Sequence, residues 1–192
     1  MQFTETALSG VFLVDLERLE DERGFFARTW CSDELQEQGL DPALAQCSIS
    51  FNTKRGTLRG MHYQTAPFAE TKLLVCLAGR IHDVLVDLRP QSATYGQWCA
   101  LELDGALGSG VYIPEGIAHG FQTLSDDVML HYSHSRPYSP AHQAGVAFDD
   151  PDLAIQWPLP PVAVSERDLT LPRLCEIAPN LSPSRTKQEV LS

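Results

Sequence analysis

The residues of this chain best suited to moving a proton are His62, Tyr132, Lys72, Arg59 and Asp168. An imidazole takes up and returns protons near neutral pH, which makes His62 a candidate base. Tyr132 can donate a proton, Lys72 and Arg59 can stabilise a developing oxyanion, and Asp168 can orient a histidine. His62 and Arg59 belong to one stretch, Arg55-Gly56-Thr57-Leu58-Arg59-Gly60-Met61-His62-Tyr63-Gln64. Strand alternation puts Gly60, His62 and Gln64 on one face and Arg59, Met61 and Tyr63 on the other. For Arg59 and His62 to share a pocket, a bulge near Gly60 must re-aim one of them. The plainer account is a half-buried strand with a satisfied histidine, and spacing leaves both open.

Other chemistries find less support. The six histidines include no H-x-H pair, and His131 and His134 are not spaced for one strand face, so no metal site is expected. There is no G-x-S-x-G elbow for a serine nucleophile. Neither G-x-x-x-x-G-K nor a G-x-G-x-x-G after a strand is present to cradle phosphate.

The elements that must carry these residues read as short strands. Gly10–Leu16 is the first, and Ala45–Asn52 alternates cleanly. In the latter, Ala45, Cys47, Ile49 and Phe51 face one way, while Gln46, Ser48, Ser50 and Asn52 form a polar face that is either solvated or lines a ligand-holding barrel. Thr71–Leu77 and Ile81–Leu88 are apolar, β-branched and joined by Ala78-Gly79-Arg80, which predicts a hairpin. Lys72 at the start of the first strand reads as an edge gatekeeper. Gln97–Leu103 and Val111–Ile113 follow, and His119–Leu124 with Val128–His134 predict a second hairpin around Ser125-Asp126-Asp127. Ser32–Gln38 reads as a short helix with Ser32 as its N-cap. Phe25 and Phe26 beside Arg23 read first as core, with a planar ligand as the alternative. Gly/Pro punctuation between many strands, with almost no helix, predicts an all-β sandwich or barrel. One domain over 1–174 is expected, with a polar, poorly ordered tail over 175–192.

Size and charge narrow the partners. The 192 residues carry a formal charge of -11, which argues against nucleic acid and anionic membranes. No apolar run approaches the roughly 20 residues of a membrane span. The start, Met1-Gln2-Phe3-Thr4-Glu5, has neither a basic nor an apolar leader region, so no signal peptide is expected. Five scattered cysteines without a C-x-x-C pair predict reduced, mostly buried thiols in a cytoplasm.

Several motifs, in order, resemble those of the dTDP-4-dehydrorhamnose 3,5-epimerase family, the cupin-like sugar-nucleotide epimerases. They are Asp21-x-Arg23-Gly24-Phe25-Phe26, Gly56-x-Leu58-Arg59-Gly60-Met61-His62-Tyr63-Gln64 and Lys72. Further on stand Gly79-x-Ile81-x-Asp83-Val84-x-Val86-Asp87-Leu88-Arg89, Pro114-Glu115-Gly116-x-Ala118-His119-Gly120-Phe121 and Tyr132. Tyr138-Ser139-Pro140, Asp149-Asp150-Pro151, Trp157-Pro158 and Ser165-Glu166-x-Asp168 complete the set.

The resemblance implies a cupin-like jelly roll and epimerisation of a 4-keto-6-deoxy sugar nucleotide without a cofactor. His62 then resembles the base that removes the proton α to the C4 ketone, and Asp168 its carboxylate partner. Tyr132 resembles the acid that reprotonates from the opposite face, and Lys72 the cation at the C4 oxygen. Arg23, Gln46, Arg59 and His119 resemble substrate contacts, Phe26 a pocket aromatic, and Tyr138 the ring stacked on the base of the nucleotide. Arg167 stands where the family often has a lysine near the nucleotide. Arg28, Ser48, Gln143 and Phe148 depart from the family's common Glu, Asn, Glu and Trp, and the first three are carried as substrate-pocket positions. These departures leave open the sugar, the nucleotide and whether C3 alone or both C3 and C5 invert. A 3,4-ketoisomerase, a metal-dependent cupin and a non-catalytic sugar binder are the alternatives. The resemblance further implies a homodimer in which N-terminal strands, Gly10–Leu16 among them, pair across the interface.

Overall fold

The computed structural model describes residues 1–177 and 189–191. Among the described residues there are fourteen strands. They are β1 (Gln2–Glu5), β2 (Phe12–Asp15), β3 (Arg18–Asp21), β4 (Gly24–Ala27), β5 (Gln46–Asn52), β6 (Leu58–Gln64) and β7 (Lys72–Ala78). β8 (Arg80–Asp87), β9 (Trp98–Asp104), β10 (Ser109–Ile113), β11 (Ile117–Thr123), β12 (Val128–His134), β13 (Gln143–Gly145) and β14 (Glu189–Leu191) follow. The helices are short, α1 (Ser32–Glu37) and α2 (Leu174–Ile177). Two six-stranded sheets have the orders β1-β2-β10-β7-β12-β5 and β13-β6-β11-β8-β9-β14, and β3 and β4 form a separate hairpin. This is the all-β, cupin-like jelly roll expected from the sequence.

Both predicted hairpins are instead arches that cross between the sheets. β7 pairs with β10 and β12, whereas β8 pairs with β9 and β11. β11 and β12 likewise separate, β11 beside β6 and β12 beside β5. A tight turn brings two strands close but does not say whether edges or faces meet. Here the apolar faces decide. Leu74, Cys76 and Leu130 from one sheet share a core with Ile81, Leu85, Leu101 and Phe121 from the other. Gly79, at φ +73°, makes the first crossing, and a Cβ there would stand 2.8 Å from Val128 Cγ2.

Each sheet has a cover on its outer face. Leu35 of α1, with Trp30 and Leu40, packs on Val14, Leu73 and Tyr112 of the first sheet. The C-terminal segment lays Val146, Leu153, Ile155 and Leu174 over Met61, Val84 and Trp98 of the second. Asp150 fastens that segment, its carboxylate accepting the backbone N–H groups of Asp152, Leu153 and Leu174.

Several local expectations change. β7 is an interior strand and Lys72 is buried, so it guards no edge. Position Ncap of α1 is Cys31 rather than Ser32, with no side-chain cap bond. β2 has both edges taken by β1 and β10, so it is not the strand free to pair with another chain. Phe25 and Phe26 are exposed, not core, because β3–β4 stands apart from both sheets. Of the cysteines only Cys76 and Cys99 are buried. Cys47 is exposed on the outer face of the edge strand β5, and Cys175 is exposed in α2. Of the expected tail, 178–188 and 192 lie outside the described residues, while Glu189–Leu191 adds a parallel strand to β9. Among the described residues no helix is long and apolar enough to cross a membrane.

Candidate active site

The site is built where β6 bulges. His62 faces His119 of β11, but Arg59 faces Phe121, so β6 holds one extra residue between these pairs. Gly60 has φ +122°, and a Cβ there would fall 2.5 Å from Gly120 Cα. Only glycine fits this close strand approach. The extra residue reverses the alternation, so Arg59 and His62 line the same cavity of about 690 Å³. The bulge expected near Gly60 is present.

The β6 wall carries two histidine–carboxylate pairs. His62 Nε2 lies 2.6 Å from Asp168 Oδ1, which leaves Nδ1 as the basic nitrogen when Nε2–H donates. Asp168 Oδ2 accepts the Gly60 N–H at 3.1 Å. The C-terminal segment delivers this aspartate by running along β6, where Leu58 N–H donates to the Ala163 carbonyl, and then turning in a 3₁₀ turn at Asp168–Thr170. Burial alone would raise the Asp168 carboxyl, but the bond and charge of His62, with the Gly60 N–H, hold it net below its ordinary range. His119 Nε2 meets Asp83 Oδ1 at 2.6 Å, and burial pushes the Asp83 carboxyl up.

The opposite wall belongs to the first sheet. Tyr132, Leu74 and Ser48 are cross-strand partners, as are His134, Lys72 and Gln46, so these side chains share one face. Burial drives the Tyr132 phenol strongly upward and keeps it a neutral proton donor. Burial lowers the Lys72 ammonium despite Glu70, whose Oε1 lies 3.3 Å from Nζ. Glu70 Oε2 also meets His134 Nδ1 at 3.2 Å, and the His134 ring stacks on Tyr132 with centroids 5.7 Å apart. Ser48 and Ser50 also line the cavity. The polar face of β5 therefore looks inward, and its apolar face, with Ile49 and Phe51, is exposed.

Of the fourteen residues expected at the site, ten line this cavity. They include the four groups expected to handle protons, His62, Tyr132, Lys72 and Asp168. Arg59 is steadied by donating from Nε to Asn52 Oδ1 at 2.7 Å. Tyr138 donates its hydroxyl to Gln143 Oε1, and both side chains stand at the cavity with Ser48, His119 and Arg167. Four do not line it. Gln46, on the same inward face as Ser48, accepts the Tyr138 N–H. Arg23 pairs with Asp21 on the exposed hairpin, Phe26 is 69 % exposed, and Arg28 is tied to Glu34. Glu70 and His134 are the pair that sequence reasoning did not assign to the site. The available signal was period two, since Glu70 precedes Lys72 and His134 follows Tyr132 by two residues each. Among the described residues no group of three or more His, Cys, Asp or Glu is placed to hold a metal.

With His62–Asp168 on one wall, neutral Tyr132 on the other and Lys72 buried between the sheets, the cavity can move protons to and from a molecule held inside it. The chain belongs to the dTDP-4-dehydrorhamnose 3,5-epimerase family, whose sequence model matches residues 5–176. A dTDP-4-dehydrorhamnose 3,5-epimerase of Sinorhizobium fredii is 37% identical over 178 residues, 92% of this chain and 91% of that protein. A dTDP-4-dehydrorhamnose 3-epimerase of Streptomyces niveus is 38% identical, covering 88% of this chain and 81% of that one. The fold superposes at a TM-score of 0.87 on dTDP-6-deoxy-D-glucose-3,5-epimerase of Legionella pneumophila in complex with dTDP-4-keto-L-rhamnose. That match is 33% identical and spans 97% of this chain and 99% of the other.

Proposed function

We propose that this protein epimerises a dTDP-4-keto-6-deoxyhexose at C3, and at C5 if the sugar can turn or shift within the cavity, through an enolate. The observation that carries the reading is a basic and an acidic group on opposite walls of one cavity. His62 Nδ1 removes the proton α to the ketone, and the C–H electrons pass into an enolate. Lys72 Nζ stabilises the charge on the C4 oxygen. Tyr132 gives its proton to the opposite face of the carbon, which inverts it. Asp168 holds the imidazole and stabilises its protonated form. Arg59, His119 and Ser48 contact the sugar and diphosphate. Tyr138 stacks on the base, with Gln143 beside it, and Arg167 at the exposed rim pairs with the nucleotide end. The chemistry is proton transfer between these side chains and the sugar.

The working unit in this proposal is a homodimer. Arg23, Phe26 and Arg28 stand outside their own cavity, on or just beyond a hairpin that exposes Leu19, Phe25 and Phe26. Such a hairpin is suited to close the cavity of a second copy, with the arginines meeting the diphosphate. The exposed apolar face of Ile49, Phe51 and Leu77 gives that copy a surface to bury.

The test is NMR of dTDP-4-keto-6-deoxyglucose in D₂O with the protein, following H3 and H5 separately. Exchange at both positions marks a 3,5-epimerase, and exchange at C3 alone a 3-epimerase. Movement of the ketone to C3 marks a ketoisomerase and overturns the proposal, as does the absence of any exchange.

A further inference from the structure

Opposite-face inversion leaves an imbalance within the enzyme. Each turnover moves one proton out of Tyr132 and one into His62, so the enzyme ends as phenolate and imidazolium. The phenolate must regain a proton before the next turnover in the same direction, and burial makes it costly to leave charged. The cavity holds a group suited to supplying that proton. His134 lies two residues beyond Tyr132 on the same strand face, its ring within 12° of parallel to the phenol and centroids 5.7 Å apart. Its Nδ1 is held at 3.2 Å by Glu70 Oε2, a third histidine–carboxylate pair, on the wall opposite His62–Asp168 and His119–Asp83. With Nδ1–H donating to Glu70, Nε2 is the nitrogen that exchanges. Glu70 is suited to support an imidazolium. Burial would raise its carboxyl, but the His134 bond and the Lys72 charge hold it net below its ordinary range. Both Glu70 and His134 line the cavity.

We infer that the His134–Glu70 pair is the proton-return station of the site. His134 takes a proton from solvent at Nε2, and Glu70 stabilises the resulting imidazolium. The proton then passes to the Tyr132 phenolate, directly or across one water, leaving neutral histidine and neutral tyrosine. His62 returns its extra proton to solvent, so the cycle closes without net gain or loss. His134 acts through Tyr132 and touches no reacting carbon. The inference rests on Tyr132 as the acid of the proposed epimerase.

The experiment is rapid-quench kinetics of dTDP-4-keto-6-deoxyglucose with unmodified protein, His134→Phe and Glu70→Gln. His134→Phe is expected to form about one product per site at the unmodified rate. It should then turn over on the order of 10²-fold more slowly, the scale of a lost positioned proton transfer. Added imidazole should restore the later turnovers. Glu70→Gln keeps a hydrogen-bonding side chain and guards against a folding defect in the first variant. Because Glu70 also pairs with Lys72, this variant's first turnover is expected to slow as well, and its later turnovers to slow more than the first. A first turnover slowed as much as the later ones, or two unchanged phases, overturns the proton-return role while leaving Tyr132 as the acid. No product from the unmodified protein overturns the epimerase reading and this inference together.

Discussion

The cavity lining, built from β6 on one wall and β7 and β12 on the other, and the β3–β4 hairpin treat their site residues in opposite ways. On the wall, polar groups are drawn inward. Lys72 and Asp168 are buried, and each has a partner of opposite charge or a hydrogen-bonding ring. On the hairpin, apolar groups are pushed outward, with Phe25 and Phe26 exposed and Arg18 over the Phe25 ring. Each arrangement costs free energy in an isolated chain. Buried charge is desolvated, and exposed aromatic rings order water. The first cost is sensible if a ligand's charge develops inside the cavity. The second is sensible if another surface covers the hairpin. The wall is thus satisfied within the chain as folded, whereas the hairpin leaves its rings uncovered.

The largest effects should come from breaking the wall. His62→Ala should lower kcat by about 10²–10⁴-fold with the fold intact, because it removes the proposed base while Asp168 keeps its bond to the Gly60 N–H. Circular dichroism and steady-state kinetics check this together, and near-unmodified turnover overturns the base. Lys72→Met comes next. Turnover should fall by about 10²–10³-fold as the enolate loses its cation. Stability should move the other way, since a buried ammonium is replaced by an apolar chain of similar length. The sign follows from linkage. Burial lowers the Lys72 value in the folded protein, so between that value and the ordinary lysine value the unfolded chain binds more protons. Stability therefore gains as pH rises through this window in the unmodified protein, and Lys72→Met should lack that component. Denaturant titration at several alkaline pH values measures it. A lower Tm for Lys72→Met would mean that Lys72 mainly offsets the Glu70 charge.

Much of the wall was readable in the sequence because its signals are local. Gly60 between Arg59 and His62 permits a bulge, which a shared pocket would require, and the bulge is what puts both residues in one cavity. The alternation of β5 was equally plain, but not its direction. An apolar face usually points to the core, and here the cavity needs the polar one. The arches were not readable. Ala78-Gly79-Arg80 permits either a ladder or a crossing, and only the distant partners, β10 for β7 and β9 for β8, settle it. The Glu70–His134 pair was missed for the same reason. The two residues are 64 positions apart and meet only because β7 and β12 are neighbours. Asp168, 106 positions from His62, was found through motif resemblance rather than through any spacing rule.

The smallest effect tests the hairpin, and it separates a partner's contribution from a merely exposed surface. Arg23→Ala with Phe26→Ala should barely change Tm, because both side chains are largely exposed in the isolated chain. KM should rise about 10-fold, equivalent to about 1.4 kcal/mol of lost binding. That result alone would not say whose cavity the residues serve, so the variant is mixed with His62→Ala and the chains are allowed to exchange. If the hairpin closes its own cavity, no chain in the mixture has both an intact base and an intact hairpin, and low-substrate activity stays low. If it closes the neighbour's, each mixed dimer holds one cavity with His62 from one chain and Arg23 and Phe26 from the other. Activity at low substrate should then exceed that of either variant alone, and its growth with mixing time should follow subunit exchange. Recovery without dimers in solution would contradict the shared cavity, as would dimers without recovery.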